Sequence, residues 1–190
     1  MSLIPAFEVD LWNAWIFLIP YLYIHFGLSR LIVDRNATLF AWPSYTKSEK
    51  RFLGTLMVVF FGAWVYSIFL PLKLGMAWFY GGLAVYLVGM VFVTMAMLSF
   101  STTPLDEPVS KGIYRASRHP MNFGLCLALA GVGIAGASWV LLLCAAVCIV
   151  LQGIILEKSE ERMCLEKFGD AYREYMERTP RWIGATKSGD

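Results

Sequence analysis

A chain of 190 residues that is 58% hydrophobic and 16% charged lacks the polar surface of a soluble globule, and its mean hydropathy is +0.59. It reads as an all-α integral membrane protein. A formal net charge of +2, with no Lys/Arg-rich block and no basic-aromatic interleaving, excludes a nucleic-acid partner.

The N-terminus carries Glu8 and Asp10 and no Lys or Arg before the first apolar run, unlike the start of a cleaved signal peptide. The first apolar segment, about 11–33, is therefore expected to be a permanent span, with Trp12 and Trp15 near its start and Arg30 near its end. His25, the only ionisable group within its apolar run, is read as reaching the interface. A polar connection follows up to Arg51. Segments 52–72 and 75–100 are expected to form a hairpin joined by a tight turn at Pro71-Leu72-Lys73-Leu74. Segments 120–135 and 138–156 form a second hairpin. The fourth segment falls short of the roughly 20 residues a span needs, and the glycines and alanines at its end permit close helix packing.

Charge sidedness supports five spans. Of the 16 Lys and Arg residues all but Lys73 fall on one side of this scheme, which the positive-inside rule makes cytoplasmic. The N-terminus is then outside and the C-terminus cytoplasmic. Trp12, Trp15, Trp64, Trp78 and Trp139 would form a belt at the outer ends. Beyond the membrane, Glu157 to Glu177 reads as one amphipathic cytoplasmic helix with Leu165, Phe168, Tyr172, Tyr175 and Met176 as its apolar stripe, ended by Pro180. The whole, residues 1–190, is expected to be a single domain.

Cys126, Cys144, Cys148 and Cys164 make no disulfide framework, and Cys144 and Cys148, which share a helical face at i, i+4, have no His or carboxylate to join them, so no metal is expected. Two polar clusters flank the second hairpin on the cytoplasmic side. One is the loop Gly112-Ile113-Tyr114-Arg115-Ala116-Ser117-Arg118-His119-Pro120-Met121-Asn122. The other is Glu157, Glu160 and Glu161, whose i, i+3, i+4 spacing puts three carboxylates on one helix face. Three like charges there repel unless a cation joins them, either a ligand or the basic groups of the loop. Read from composition alone, the same cluster is the solvated start of a cytoplasmic helix, and Arg118-His119-Pro120 an ordinary interfacial helix start.

In combination these residues carry a resemblance. Gly112-Ile113-Tyr114, Arg118-His119-Pro120, an apolar hairpin, Glu160-Glu161, Phe168-Gly169-Asp170-Ala171-Tyr172-Arg173-Glu174-Tyr175 and Pro180-Arg181 resemble, in order and spacing, the isoprenylcysteine carboxyl methyltransferases. The wider group includes the membrane phospholipid methyltransferases. The resemblance implies an S-adenosylmethionine-dependent methyltransferase with its cofactor-binding part over about 104–183, facing the cytoplasm. It implies a cofactor site walled by Asp106, Glu107, Pro108, Val109, Tyr114, Arg118, His119, Pro120, Met121 and Asn122. Glu157, Glu160 and Glu161 would hold the amino group of the methionine moiety, and His119 and Glu161 would be the catalytic pair. The chain departs from the family pattern at Asn122, where a Tyr is usual. It departs again at Gln152-Gly153-Ile154-Ile155, where the prenylcysteine enzymes carry an Arg for the substrate carboxylate. The acceptor, whether thiol, carboxylate or amine, would be lipophilic or small and would approach from the membrane lipid. Two other readings stay open: an NADPH-dependent enzyme similar to sterol reductases, and a non-enzymatic membrane scaffold or transporter subunit. The spans other than the first carry no ionisable group that would line an ion path.

Overall fold

The computed structural model describes residues 9–27 and 45–183, and among these it is helical throughout, with no strand. Helix α1, Ala14–Gly27, opens as a 3-10 turn over Ala14–Phe17. Helices α2, Lys47–Ser67, and α3, Ala77–Ser101, precede a long polar loop. Then come α4, Pro120–Ala135, and α5, Trp139–Leu151. A π-helical turn, Gln152–Leu156, carries α5 without a break into α6, Glu157–Phe168, and α7, Asp170–Arg178, follows. Among the described residues two helices, α3 and the continuous Trp139–Phe168, are long and apolar enough to cross a membrane, whereas the described part of α1 and α4 are apolar but shorter. The part of the first expected segment beyond Gly27, and most of the connection after it, lie outside the described residues.

The frame of the molecule is the α3–α4 pair. Gly82 and Gly89 on α3 face Gly124 and Gly131 on α4, and the seven-residue spacing keeps each pair on one side of its helix. A Cβ at Gly89 would stand 2.5 Å from the Ala128 nitrogen and 2.7 Å from the Gly124 carbonyl oxygen. The two backbones are thus in direct contact, which is how helices associate where lipid offers no hydrophobic drive. α4 is as short as the sequence suggests, starting on Pro120 in its first turn and ending at Gly136. Ser138 then caps α5 by accepting from the Leu141 amide.

Three expectations change. The tight turn at 71–74 is instead a longer connection, 68–76, because the start of α1 packs into it and satisfies its backbone. Asn13, fully buried, donates from Nδ2 to the Ile68 carbonyl at 2.8 Å, and the Ala14 and Leu72 amides exchange bonds with Leu70 and Trp12. Trp64, expected in the outer belt, is buried, stacked on Tyr21 with ring centroids 5.4 Å apart. The single helix expected over 157–177 breaks at Gly169, whose φ of +54° is a left-handed step that favours glycine and turns α7 back over the loop. That turn brings the stripe of Leu165, Phe168, Tyr172, Tyr175 and Met176 against Tyr114 and Ala96.

Candidate active site

The loop between α3 and α4 is fixed at both ends. Gly112, with φ +59°, begins a 3-10 turn, and a side chain there would collide with the Ser99 hydroxyl. The turn buries Tyr114, whose carbonyl accepts a 2.7 Å bond from the Tyr175 hydroxyl of α7. Farther on, Ser117 Oγ donates to the Arg181 carbonyl at 3.0 Å and accepts from the His119 amide at 3.2 Å, while the Arg118 amide donates to the Pro180 carbonyl. The Pro180-Arg181 segment therefore holds the Arg118-His119-Pro120 corner from outside.

Inside that corner the two polar clusters meet. His119 Nδ1 lies 3.2 Å from Glu160 Oε2, and its Nε2 lies 3.2 Å from Glu161 Oε1. Both ring nitrogens can serve carboxylates only when both carry protons, so the ring is an imidazolium. Burial works against that charge, but the two carboxylates outweigh it and raise the His119 pKa to about 9. Glu161, only 4% exposed, also takes Arg181 through both oxygens, and Arg118 Nη1 stands 2.9 Å away. Burial alone would raise its pKa; His119, Arg181 and Arg118 overcome that and hold it at about 2. Glu157 is different. It is 1% exposed, neither oxygen has a hydrogen-bond partner among the described residues, and desolvation pushes its carboxyl above the usual range.

A cavity of about 120 Å³ opens in front of this network. Its wall takes Val109, Tyr114, Arg118, His119, Met121, Asn122 and Glu160 from the residues anticipated by sequence. Asp106 and Glu107 are exposed and away from it, Glu107 pairing with Lys111 at 3.7 Å, and Pro108 does not line it. Pro120 is buried behind the wall as the first residue of α4, and Glu157 and Glu161 stand behind His119 rather than at the surface of the cavity. Six residues complete the wall that the site reading did not include: Phe100, Met163, Cys164, Phe168, Tyr172 and Tyr175. Phe168, Tyr172 and Tyr175 were visible as an apolar stripe; what hid their role was the turn at Gly169. Among the described residues no group of His, Cys, Asp and Glu is placed to hold a metal ion.

A second, apolar hollow of about 550 Å³ runs between α1, α2 and α4. Leu22, Phe26, Met57, Phe60, Phe61 and Trp64 form much of its wall, and Gln152 closes one part. Asn122 lines this groove as well as the polar cavity, so the two spaces meet at one side chain. On the opposite face of α6, Glu49 near the start of α2 accepts from Ser159 Oγ at 2.7 Å and from both terminal nitrogens of Arg162. This contact ties the groove wall to the helix that carries the carboxylates.

Residues 49–171 match the family model described as phospholipid methyltransferase, a stretch that contains the described wall of the polar cavity except Tyr172 and Tyr175 of α7. The chain belongs to that family. No curated protein matches it. Membership gives a methyltransferase of the membrane type, and phospholipid methyltransferase family members generally use S-adenosylmethionine. In this member the family's cofactor would be met by a polar wall suited to an amino acid. Arg118 Nε is buried without a hydrogen-bond partner among the described residues, an orphan donor for a carboxylate, and Glu160 presents a carboxylate for an ammonium group. The aromatic and sulfur side chains Tyr114, Phe100, Met163 and Cys164 suit an adenine and a sulfonium.

Proposed function

We propose that this protein is an S-adenosylmethionine-dependent methyltransferase embedded in the membrane as one domain, acting on a small or lipophilic acceptor. Five spans, an outside N-terminus and a site facing the cytoplasm follow from the placement of Lys and Arg in the sequence. The membrane would be a cell inner membrane or the endoplasmic reticulum. The observation that carries the reading is the meeting of a polar cavity, walled by the Arg118-His119-Pro120 corner and Glu160, with an apolar groove at Asn122.

When bound, the cofactor supplies a methyl group on a sulfonium, and its transfer is an in-line displacement that needs little covalent help. The chain's work is then positioning and exclusion of water. Glu160 would bind the ammonium end and Arg118 the carboxylate end of the methionine moiety. Tyr114 would face the positive sulfur with its ring rather than with a charge, which keeps attraction from being lost as that charge is neutralised. His119, held as an imidazolium between two carboxylates, does not act as a base near neutral pH; it fixes Glu160 in the wall. Glu161 positions His119 from behind, a supporting part rather than a catalytic contact. The acceptor would come along the groove from the lipid side.

Calorimetric titration of the detergent-purified protein with S-adenosylmethionine, its demethylated product and NADPH tests the reading. Binding of the first two is expected, and Glu160→Gln is expected to weaken both by about tenfold or more through loss of a charged hydrogen bond. NADPH binding alone would transfer the chain to the reductase reading, and no binding to folded protein would favour a scaffold or transporter.

A further inference from the structure

Glu157 is the carboxyl of the corner to which the cofactor reading gives no part. It is 1% exposed, and neither of its oxygens has a hydrogen-bond partner among the described residues. It opens α6 directly after the π-helical turn, its amide donating to the Gln152 carbonyl. Gly153 of that turn leaves room beside it for the tail: a Cβ there would stand 3.0 Å from Trp182 Cζ2 and 3.9 Å from Glu157 Oε2. Denied both water and a donor, such a carboxyl keeps its proton rather than its charge. Burial pushes its pKa up, and Glu160 and Glu161 add to that against the opposing pull of His119 and Arg181. On α4 the titratable neighbour past His119 is the Cys126 thiol, which donates to Gln152 Oε1 at 3.5 Å.

Arg118, Arg181 and His119 are positive, and Glu160 and Glu161 are negative, so the corner carries one positive charge while Glu157 is neutral and none once it ionises. His119 and Glu160 line the cavity and also act on Glu157, so charge placed in the cavity is felt behind the wall. In a methionine moiety the amino and carboxyl charges cancel, but a sulfonium adds one more positive charge. We infer that Glu157 is a charge-compensating residue: it holds a proton while the cavity is empty or contains the demethylated product, and releases it when a sulfonium ligand binds. The inference rests on the methyltransferase reading for the identity of that ligand. Transfer leaves the S–CH3 electron pair on sulfur and removes the sulfonium charge; Glu157 then regains a proton, balanced by the one that a protic acceptor sheds as its bond to the methyl carbon forms. The total buried charge is the same before and after, so no unpaired carboxylate is left facing a neutral product.

Calorimetric titration of the full chain in detergent, repeated in buffers of different ionisation enthalpy, counts the protons exchanged on binding. S-Adenosylmethionine is expected to release about half a proton or more per molecule bound near neutral pH, and its demethylated product almost none. Because higher pH favours binding that releases a proton, affinity for S-adenosylmethionine should rise up to about tenfold from about pH 5.5 to about pH 7, below the range in which an α-amino group titrates. Affinity for the product should change by less than about twofold over the same range. Glu157→Gln keeps the shape and cannot ionise, so it should abolish both the proton release and the difference in pH dependence. The native chain alone decides the comparison of the two ligands should that variant fail to fold. Equal proton release by both ligands, none with S-adenosylmethionine, or release that persists in Glu157→Gln would overturn the inference. No binding of either ligand to folded protein sinks the methyltransferase reading and the inference with it, whereas binding of both without a difference in protons sinks only the inference.

Discussion

The seam between α3 and α4 and the corner around His119 are both packed without slack, but by opposite means. The seam is built by removing side chains: Gly82, Gly89, Gly124 and Gly131 let two backbones touch, and the interaction is dispersion over a long strip. The corner is built by adding charge. Glu161 alone holds His119, Arg118 and Arg181, and each member is placed by its partners. The first should therefore fail through volume and the second through charge, and this difference can be probed at each site.

The largest effect is expected at the seam. Gly89→Leu would drive a side chain into the Ala128 backbone, for which neither helix has room, and the chain should fail to give a monodisperse folded peak on size exclusion. Gly89→Ala should already cost about 3 kcal/mol in thermal unfolding. Gly54→Ala on α2 serves as the control, because a Cβ there meets nothing within 4 Å, and that substitution should be neutral or slightly stabilising. A tolerated Gly89→Leu would mean that the two helices are not in backbone contact.

At the corner the volume can stay the same and the charge alone be removed. Glu161→Gln keeps the shape but leaves an imidazolium and two guanidinium groups without their shared carboxylate, and should cost about 3 kcal/mol together with most cofactor affinity. A stability loss under about 1 kcal/mol would remove Glu161 from its place as the hub.

How much of this was legible in the sequence follows the same division. The polar corner could be read, because Arg118, His119, Glu160 and Glu161 are rare residue types in an apolar chain and their order survives without structure. The seam was only partly readable: the small residues near the end of α4 suggested close packing, but nothing local says which helix will meet them. The loop over 106–109 was assigned more of the cavity than it occupies, since an extended segment gives no sign of which side chain faces in; only Val109 does. The α7 wall was hidden by one glycine, whose conformation depends on what the chain packs against after the turn. The five-span count rests on charge placement, while among the described residues length and apolarity alone pick out two helices.

The pH response sharpens the contrast, since the four seam glycines have nothing to titrate. His119 has its pKa raised from 6.5 to about 9, so the stability it contributes is complete below 6.5 and is lost as pH rises through 9. Glu161 is lowered from 4.5 to about 2, so its contribution is complete above 4.5 and is lost as pH falls towards 2. The unfolding temperature should be highest between these limbs and decline on the alkaline side. His119→Gln should flatten that alkaline decline; an unchanged slope in the variant would assign it to another group.

The smallest effect is expected where charge is used but water still reaches it. Glu49 binds Ser159 and Arg162 and also closes a capping box with Thr46, and these bonds, Arg162 first, hold its pKa at about 2. Arg162 is 42% exposed, so the pair is screened in a way that the Glu161 hub is not. Glu49→Gln keeps one acceptor oxygen for Ser159 or Thr46 and should cost only about 1 kcal/mol. The cost should shrink in high salt, whereas that of Glu161→Gln should stay nearly constant, because Glu161 is only 4% exposed. Equal salt sensitivity for the two variants would show that solvent reaches the hub as freely as the latch, and that the corner is held by exposed charge rather than by burial of its ions.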